Sequence, residues 1–298
     1  MAGKNMNYFL MDGIPNGRIK CTLANWTGVA YKIPRFKLVD CKSIDYLRQS
    51  GVYFLFSKGV YGKPLVYIGQ AGTRKNREGI LNRLKEHHAY PKQGLEDWYE
   101  AIAFTTSNNI FGATEISWLE NRFFALASSA NRYEAKNGNE PNAGNVTEEK
   151  ESELKEYIDY AKIVMGVLGH LVFEPLSASA APATTIMEEQ TAAVIDLEIK
   201  QGHIAAFGQR ASDGFVVLKG SKIKVGVAPS CPKNVKRQRE VNASSVDANG
   251  VLTEDILLNS ASEAAGFVVG GSISGIQAWK TADGKTLKEV EANEASEL

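Results

Sequence analysis

Cysteine is scarce. The 298-residue chain holds three, Cys21, Cys41 and Cys231, scattered and without a CxxC pair. No histidine stands at ligand spacing from any of them, which argues against structural zinc and for a reducing compartment. Long apolar runs are missing too. The most apolar stretch, residues 158–173, is interrupted by Asp159, Lys162 and His170 and is too short to span a bilayer, so no membrane partner is expected. It reads instead as an amphipathic helix. The N-terminus lacks a signal-peptide pattern, and a cytoplasmic location follows as the expectation. Nor is there a surplus of one charge, since 34 Lys/Arg balance 34 Asp/Glu. With 44% apolar residues, the chain is long enough for two domains.

The balanced charge is unevenly spread. Residues 58–92 carry eight Lys/Arg against two glutamates, Glu78 and Glu86. Downstream, Glu148, Glu149, Glu151, Glu153 and Glu156 compensate, and read as the outer face of a helix. Residues 175–190 turn to Ala, Ser, Pro and Thr without periodicity, the mark of a linker. This divides the chain into an N-terminal β-rich extension (1–50), a domain at 51–174, and a C-terminal domain at 191–298. In the last, residues 194–198, 203–207 and 214–219 read as strands and 260–267 as a helix. Residues 219–239 hold seven Lys/Arg and no acid. A solvated loop is the plain reading, and a nucleic-acid contact through Lys222, Lys224, Lys236 and Arg237 the sharper one.

Two strand-like runs, GVYFLF from Gly51 and LVYIG from Leu65, flank a segment with two glycines and a proline, and so read as a hairpin with an extended loop. Pairing Phe54 with Val66 would set Tyr53 opposite Tyr67 on the other face of the pleat. Cross-strand packing is the bland explanation for such a pair. After the loop a helix begins near Arg77, with Ile80, Leu81 and Leu84 at helical spacing. Arg83 and His87, four apart, project from one face. A guanidinium and an imidazole beside two phenols suit a phosphodiester, although a solvated helix face would look alike. A second helix, from Thr114, carries Ile116, Leu119, Phe123 and Leu126 as a stripe, with Glu120 at its margin. A carboxylate so placed must be paired, protonated or bound to a cation, and Arg83 or Arg122 could pair it.

Tyr53, Tyr67, Arg83, His87 and Glu120, in this order and spacing, resemble the GIY-YIG nuclease superfamily. The likeness covers roughly residues 51–137. It extends to DGIPNGRIKCTLANWTGVAYKIPR before the hairpin and to GFVVLKGS, SEAAGFVVGGSISG and WKTADGKTL near the C-terminus, as in a subgroup with a small C-terminal domain of uncharacterised function. The resemblance implies an α+β fold: a small three-stranded antiparallel sheet flanked by helices, with residues 99–105 as third strand, and a second small α+β domain. It implies a metal-dependent endonuclease acting on DNA, with Tyr53 as base or positioner of water, Tyr67 on the scissile phosphate and Arg83 neutralising the transition state. His87 would assist proton transfer, and Glu120 would hold Mg²⁺ or Mn²⁺. An asparagine is also implied, at Asn137 with Asn131 close behind. Lys63, Arg74, Lys75 and Arg77 would meet the nucleic-acid backbone. A non-catalytic binding module, or a nuclease restricted to RNA or to branched or modified DNA, are the alternatives. A tyrosine base needs a cation to favour phenolate, and Lys63, Arg74, Lys75 and Arg83 are the candidates.

Overall fold

The computed structural model describes residues 3–59, 63–72, 79–92, 95–138, 144–176 and 195–296. Arg74, Lys75, Arg77 and most of the expected linker lie outside these residues. The chain divides into two compact units, residues 1–174 and 175–298.

The first unit is built on β1 (Met6–Leu10), β2 (Ile19–Leu23), β3 (Gly28–Pro34), β4 (Gly51–Lys58), β5 (Pro64–Ala71), β6 (Glu100–Thr106) and β7 (Glu134–Lys136). Its helices are α1 (Gly79–Ala89), α2 (Ala113–Ala130) and α3 (Glu148–Val167). The α+β class holds, but the sheet is larger than the expected three strands. Strands β6, β4 and β5 do lie side by side and antiparallel, in the middle of a seven-stranded sheet ordered β1-β2-β3-β6-β4-β5-β7. The reason is that β6 is buried along its whole length. Its second edge must be covered, and β3 pairs with all seven of its residues. Residues before Gly51 therefore enter the same sheet. On the far side the short β7 runs parallel to β5.

The pleat sends alternate residues to two cores. Phe54, Phe56, Ile68, Ile102 and Phe104 meet α2 and α3 on one face. Tyr53, Leu55, Tyr67, Ala101 and Ala103 meet α1 and the two 3-10 turns at Arg35–Cys41 and Asp45–Arg48 on the other. Helix α3 starts at the acidic run, where Thr147 caps the backbone N–H of Lys150 and Glu148, Glu149 and Glu151 oppose the helix dipole. It ends at Val167, before the 173 of the sequence reading. Among the described residues no helix is long and apolar enough to cross a membrane.

The second unit carries β8 (Leu197–Gln201), β9 (Ile204–Ala211), β10 (Gly214–Val217) and β11 (Ile256–Leu258) in an antiparallel sheet ordered β11-β10-β9-β8. Helices α4 (Lys233–Val241), α5 (Ala261–Val269), α6 (Gly275–Ala278) and α7 (Leu287–Ser296) complete it. One sheet face, with α5, encloses a core around Phe215, Phe267 and Trp279. The stretch read as a solvated loop at 219–239 contains most of α4. That helix is polar almost all round and buries only Val235, so it has no apolar stripe to betray it.

Candidate active site

Three elements of the first unit bring the sequence-predicted side chains together. The strands pair two residues away from the expected register. Tyr53 lies opposite Gly69, and Leu55 opposite Tyr67. The expected Tyr53–Tyr67 pair is thus a diagonal one, with ring centroids 6.3 Å apart. A shift of two keeps both phenols on the same face. Gly69 makes the register possible, because a Cβ there would stand 2.4 Å from the Tyr53 hydroxyl.

Helix α1 buries Ile80 and Leu84 against this face, and the same stripe continues to His87, which is 3% exposed. The imidazole Nε2 lies 2.8 Å from Tyr53 Oη. Burial lowers the His87 pKa to about 4, with the positive fields of Arg83 and Lys92 adding to the effect. The ring is therefore neutral near pH 7. Burial, then the field of Tyr67, raises Tyr53 well above the ordinary phenol, while Arg83 opposes. Tyr53 hence keeps its proton, and its hydroxyl can donate to the Nε2 lone pair. The cation expected to favour phenolate is present in Arg83, but burial outweighs it. Arg83 sits one turn before His87 and pairs with Glu86 and with the Tyr53 hydroxyl.

Glu120 arrives from α2. Ile116, Leu119, Glu120, Phe123 and Ala127 form its buried stripe, so packing that sinks the neighbours also sinks the carboxylate. Burial raises its pKa, whereas hydrogen bonds from Asn137 and Gln70 and the charge of Lys92 pull the other way. Its partners are these amides, and Arg83 is turned to Glu86. Asn137 follows directly on β7, whose parallel pairing with β5 carries it to Glu120. Asn131 stands elsewhere: it ends α2 in the left-handed conformation (φ 51°) and accepts a bond from Lys63 Nζ at 2.7 Å. Lys63 is thereby engaged at the far end of the hairpin.

Two contributors escaped the sequence reading. Lys92 donates from Nζ to Tyr67 Oη at 2.9 Å. Gly138 leaves the room for that bond, since a Cβ there would lie 2.2 Å from Lys92 Nζ and 3.0 Å from Tyr67 Oη. Gln70, two residues after the YIG tyrosine-isoleucine pair, holds Glu120. The signal for Lys92 was weak, a lone cation after a proline, whereas Gln70 adjoins the motif itself. A cavity of about 300 Å³ opens beside Gln70, Arg83 and Glu86, floored by Ile116. Among the described residues no three His, Cys, Asp or Glu side chains converge as a metal cage. One buried carboxylate with amide neighbours nevertheless suits a hard cation that keeps most of its own waters.

Against known proteins, residues 197–291 match the model of a domain of unknown function, DUF4357. No curated protein and no solved structure matches the chain. The match covers the second unit and leaves the cluster just described to be read from its geometry.

Proposed function

We propose that the first unit is a metal-dependent endonuclease of the GIY-YIG type that hydrolyses DNA phosphodiester bonds. One observation carries this: a neutral, buried imidazole hydrogen-bonded to a buried phenol, with a guanidinium on the same hydroxyl. Such a pair can take a proton without a preformed phenolate. As water attacks phosphorus, its proton passes to Tyr53 Oη while the Tyr53 proton passes to His87 Nε2. The new P–O bond forms from the water oxygen, and the bond to the leaving oxygen breaks. Arg83, freed from Glu86 by the phosphate, neutralises the charge that develops on the phosphoryl oxygens. The leaving oxygen takes its proton from Tyr67, which Lys92 resupplies through their hydrogen bond. Glu120, held by Gln70 and Asn137, would hold Mg²⁺ or Mn²⁺. When bound, that cation supplies Lewis-acid stabilisation of phosphoryl and leaving oxygens. Lys63, and Arg74, Lys75 and Arg77 outside the described residues, are the proposed contacts to the nucleic-acid backbone.

The deciding experiment is Mg²⁺-dependent cleavage by Glu120→Gln across plasmid, single-stranded, branched and RNA substrates. Cleavage falls by at least about 100-fold, while binding in EDTA stays at the parent level, because phosphate contacts supply the affinity. Cleavage at the parent rate would overturn the assignment of Glu120 and with it the metal-dependent reading.

A further inference from the structure

Four cations of the basic run, Lys222, Lys224, Lys236 and Arg239, line two cavities beside the strap at residues 223–227, while Lys219, Lys233 and Arg237 line neither. The strap is fixed from below. Lys222 exchanges both backbone hydrogen bonds with Ala205, Ile223 N–H reaches Gly250 and Lys224 N–H reaches Val268. Ile223 is buried in the core, so its neighbours Lys222 and Lys224 both stand in solvent. Arg239 is consumed in holding the strap, donating to the carbonyls of Lys224, Phe267 and Val268.

Both sides are basic, but only one carries acids to offset its cations. A cavity of about 470 Å³ on one side has Lys224, Lys236 and Arg239, but Glu240 and Asp247 line it too. There Arg239 is committed and Lys236 bonds Pro229 O at 3.2 Å. The cleft on the other side, about 630 Å³, has Lys222, Lys224 and His203 and no carboxylate in its walls. Among the described residues these three side chains make no hydrogen bond or ion pair. The rest of the wall is of two kinds. Ile204, Ile273 and the 75%-exposed Val225 are apolar, whereas Gln201, Asn249 and Ser272 offer uncharged hydrogen-bonding groups.

Unpaired cations, apolar walls and amide edges in one cleft are the complement of a phosphate, a planar base face and a base edge. The volume lies in the range of ligand sites. We infer that this cleft is a second nucleic-acid site, which takes a nucleotide unit of a single strand. Its phosphates meet Lys222 and Lys224, and its base lies between Ile204 and Val225. This inference concerns the second unit and does not require that the first unit cleave anything.

The test uses the full chain in EDTA, so that an inactive nuclease leaves it readable. Binding of a fluorescent oligo-dT is followed by anisotropy against salt. Lys222→Gln with Lys224→Gln weakens binding by about 10-fold or more at low salt and flattens the log–log salt slope by about 1.4, at roughly 0.7 per single-strand phosphate contact. Ser272→Glu, an exposed position where misfolding is not at issue, weakens it too by placing a carboxylate in the cleft. Lys285→Gln with Lys288→Gln, in the same unit, changes neither affinity nor slope. Parent-like binding by both cleft variants overturns the proposal. Displacement of the oligonucleotide by dTMP at equal concentration overturns the strand as source and assigns the cleft to free nucleotides. Equal loss of binding to polyglutamate overturns it in favour of an acidic protein partner.

Discussion

Each face of the large sheet buries one histidine, and the two are opposites. His170, on the α2/α3 face, stacks on Phe56 with ring centroids 3.5 Å apart. Its Nε2 meets Glu100 at 2.7 Å, and Lys32 approaches the other carboxylate oxygen at 3.2 Å. Tyr133 closes off Nδ1 at 3.5 Å. Both ring nitrogens thus have partners within the fold. His87, on the α1 face, has a phenol for its partner and cations, Arg83 and Lys92, for its neighbours. A carboxylate beside an imidazole fixes a proton in place. A phenol beside it, in a field that keeps the ring neutral, leaves a proton free to move. Both are buried, His87 at 3% and His170 at 6% exposure. The neighbours' charge separates a structural histidine from a candidate proton acceptor.

The sharpest way to break this contrast is to remove each ring in turn. His87→Gln and Tyr53→Phe lower cleavage on the order of 10²- to 10⁴-fold while folding is retained, because each deletes one end of the proposed proton path. His170→Gln leaves the rate per folded molecule within about threefold of the parent, having removed no group near the reacting atoms. Single-turnover cleavage with denaturation curves for all three decides it. A rate loss at His170 as large as at His87 would erase the distinction.

Stability reads in the opposite order. Glu100→Leu removes the carboxylate shared by Lys32 and His170, leaving Lys32 only the Leu168 carbonyl, and breaking such a buried pair from one side costs about 3 kcal/mol. The urea midpoint falls with an unchanged slope, and cleavage by the remaining folded fraction persists. A midpoint within error of the parent would mean that the Glu100 network holds nothing together.

The sequence made the face legible before it made the register legible. Tyr53 and Tyr67 were expected on one side of the pleat, and they are, even though the strands slide by two residues, because the side-chain period is two. Glu120 was readable at the margin of an apolar stripe, where periodicity does the work. His87 was read only as sharing a face with Arg83, and instead continues the buried stripe of Ile80 and Leu84. The seven-stranded sheet was not readable, since the pairing of β3 with β6 joins residues about seventy apart and leaves no local trace. Lys92 was missed for a related reason. Its place beside Tyr67 depends on the path of the chain after α1 and on the absence of a side chain at Gly138, and neither has a periodic signature. Helix α4 hid behind its own charges.

Lys92 sharpens the comparison at smaller amplitude. Lys92→Met keeps the stem and removes the cation from Tyr67 Oη. The expected loss of cleavage is about 10-fold, less than for His87, because Tyr67, the proposed direct donor, remains and water can resupply its proton in place of Lys92. The pH–rate profile carries the diagnostic part. Lys92 lowers the Glu120 and His87 pKa values, so its loss moves both upward, and the acidic limb of the profile shifts to higher pH. A rate loss without that shift would reduce Lys92 to packing.

The smallest expected effect is a slope in stability against pH. His87 has a folded pKa of about 4, below its ordinary 6.5. Between those values the unfolded chain takes up a proton that the folded chain refuses. Folding is therefore favoured fully above pH 6.5 and loses stability as pH falls toward 4. Glu120 works the other way. Its raised pKa means that the folded chain holds a proton longer, so its burial penalises folding as pH rises through the window just above the ordinary carboxylate value. Glu120 is common to the parent and to His87→Gln, so comparing the two between pH 6.5 and 5.5 isolates the histidine. Urea midpoints over that unit of pH decline in the parent and decline less in His87→Gln, which has nothing to titrate. An equal decline in both would show that burial does not withhold the proton from His87, and the contrast between the two faces of the sheet would fail at its electrostatic root.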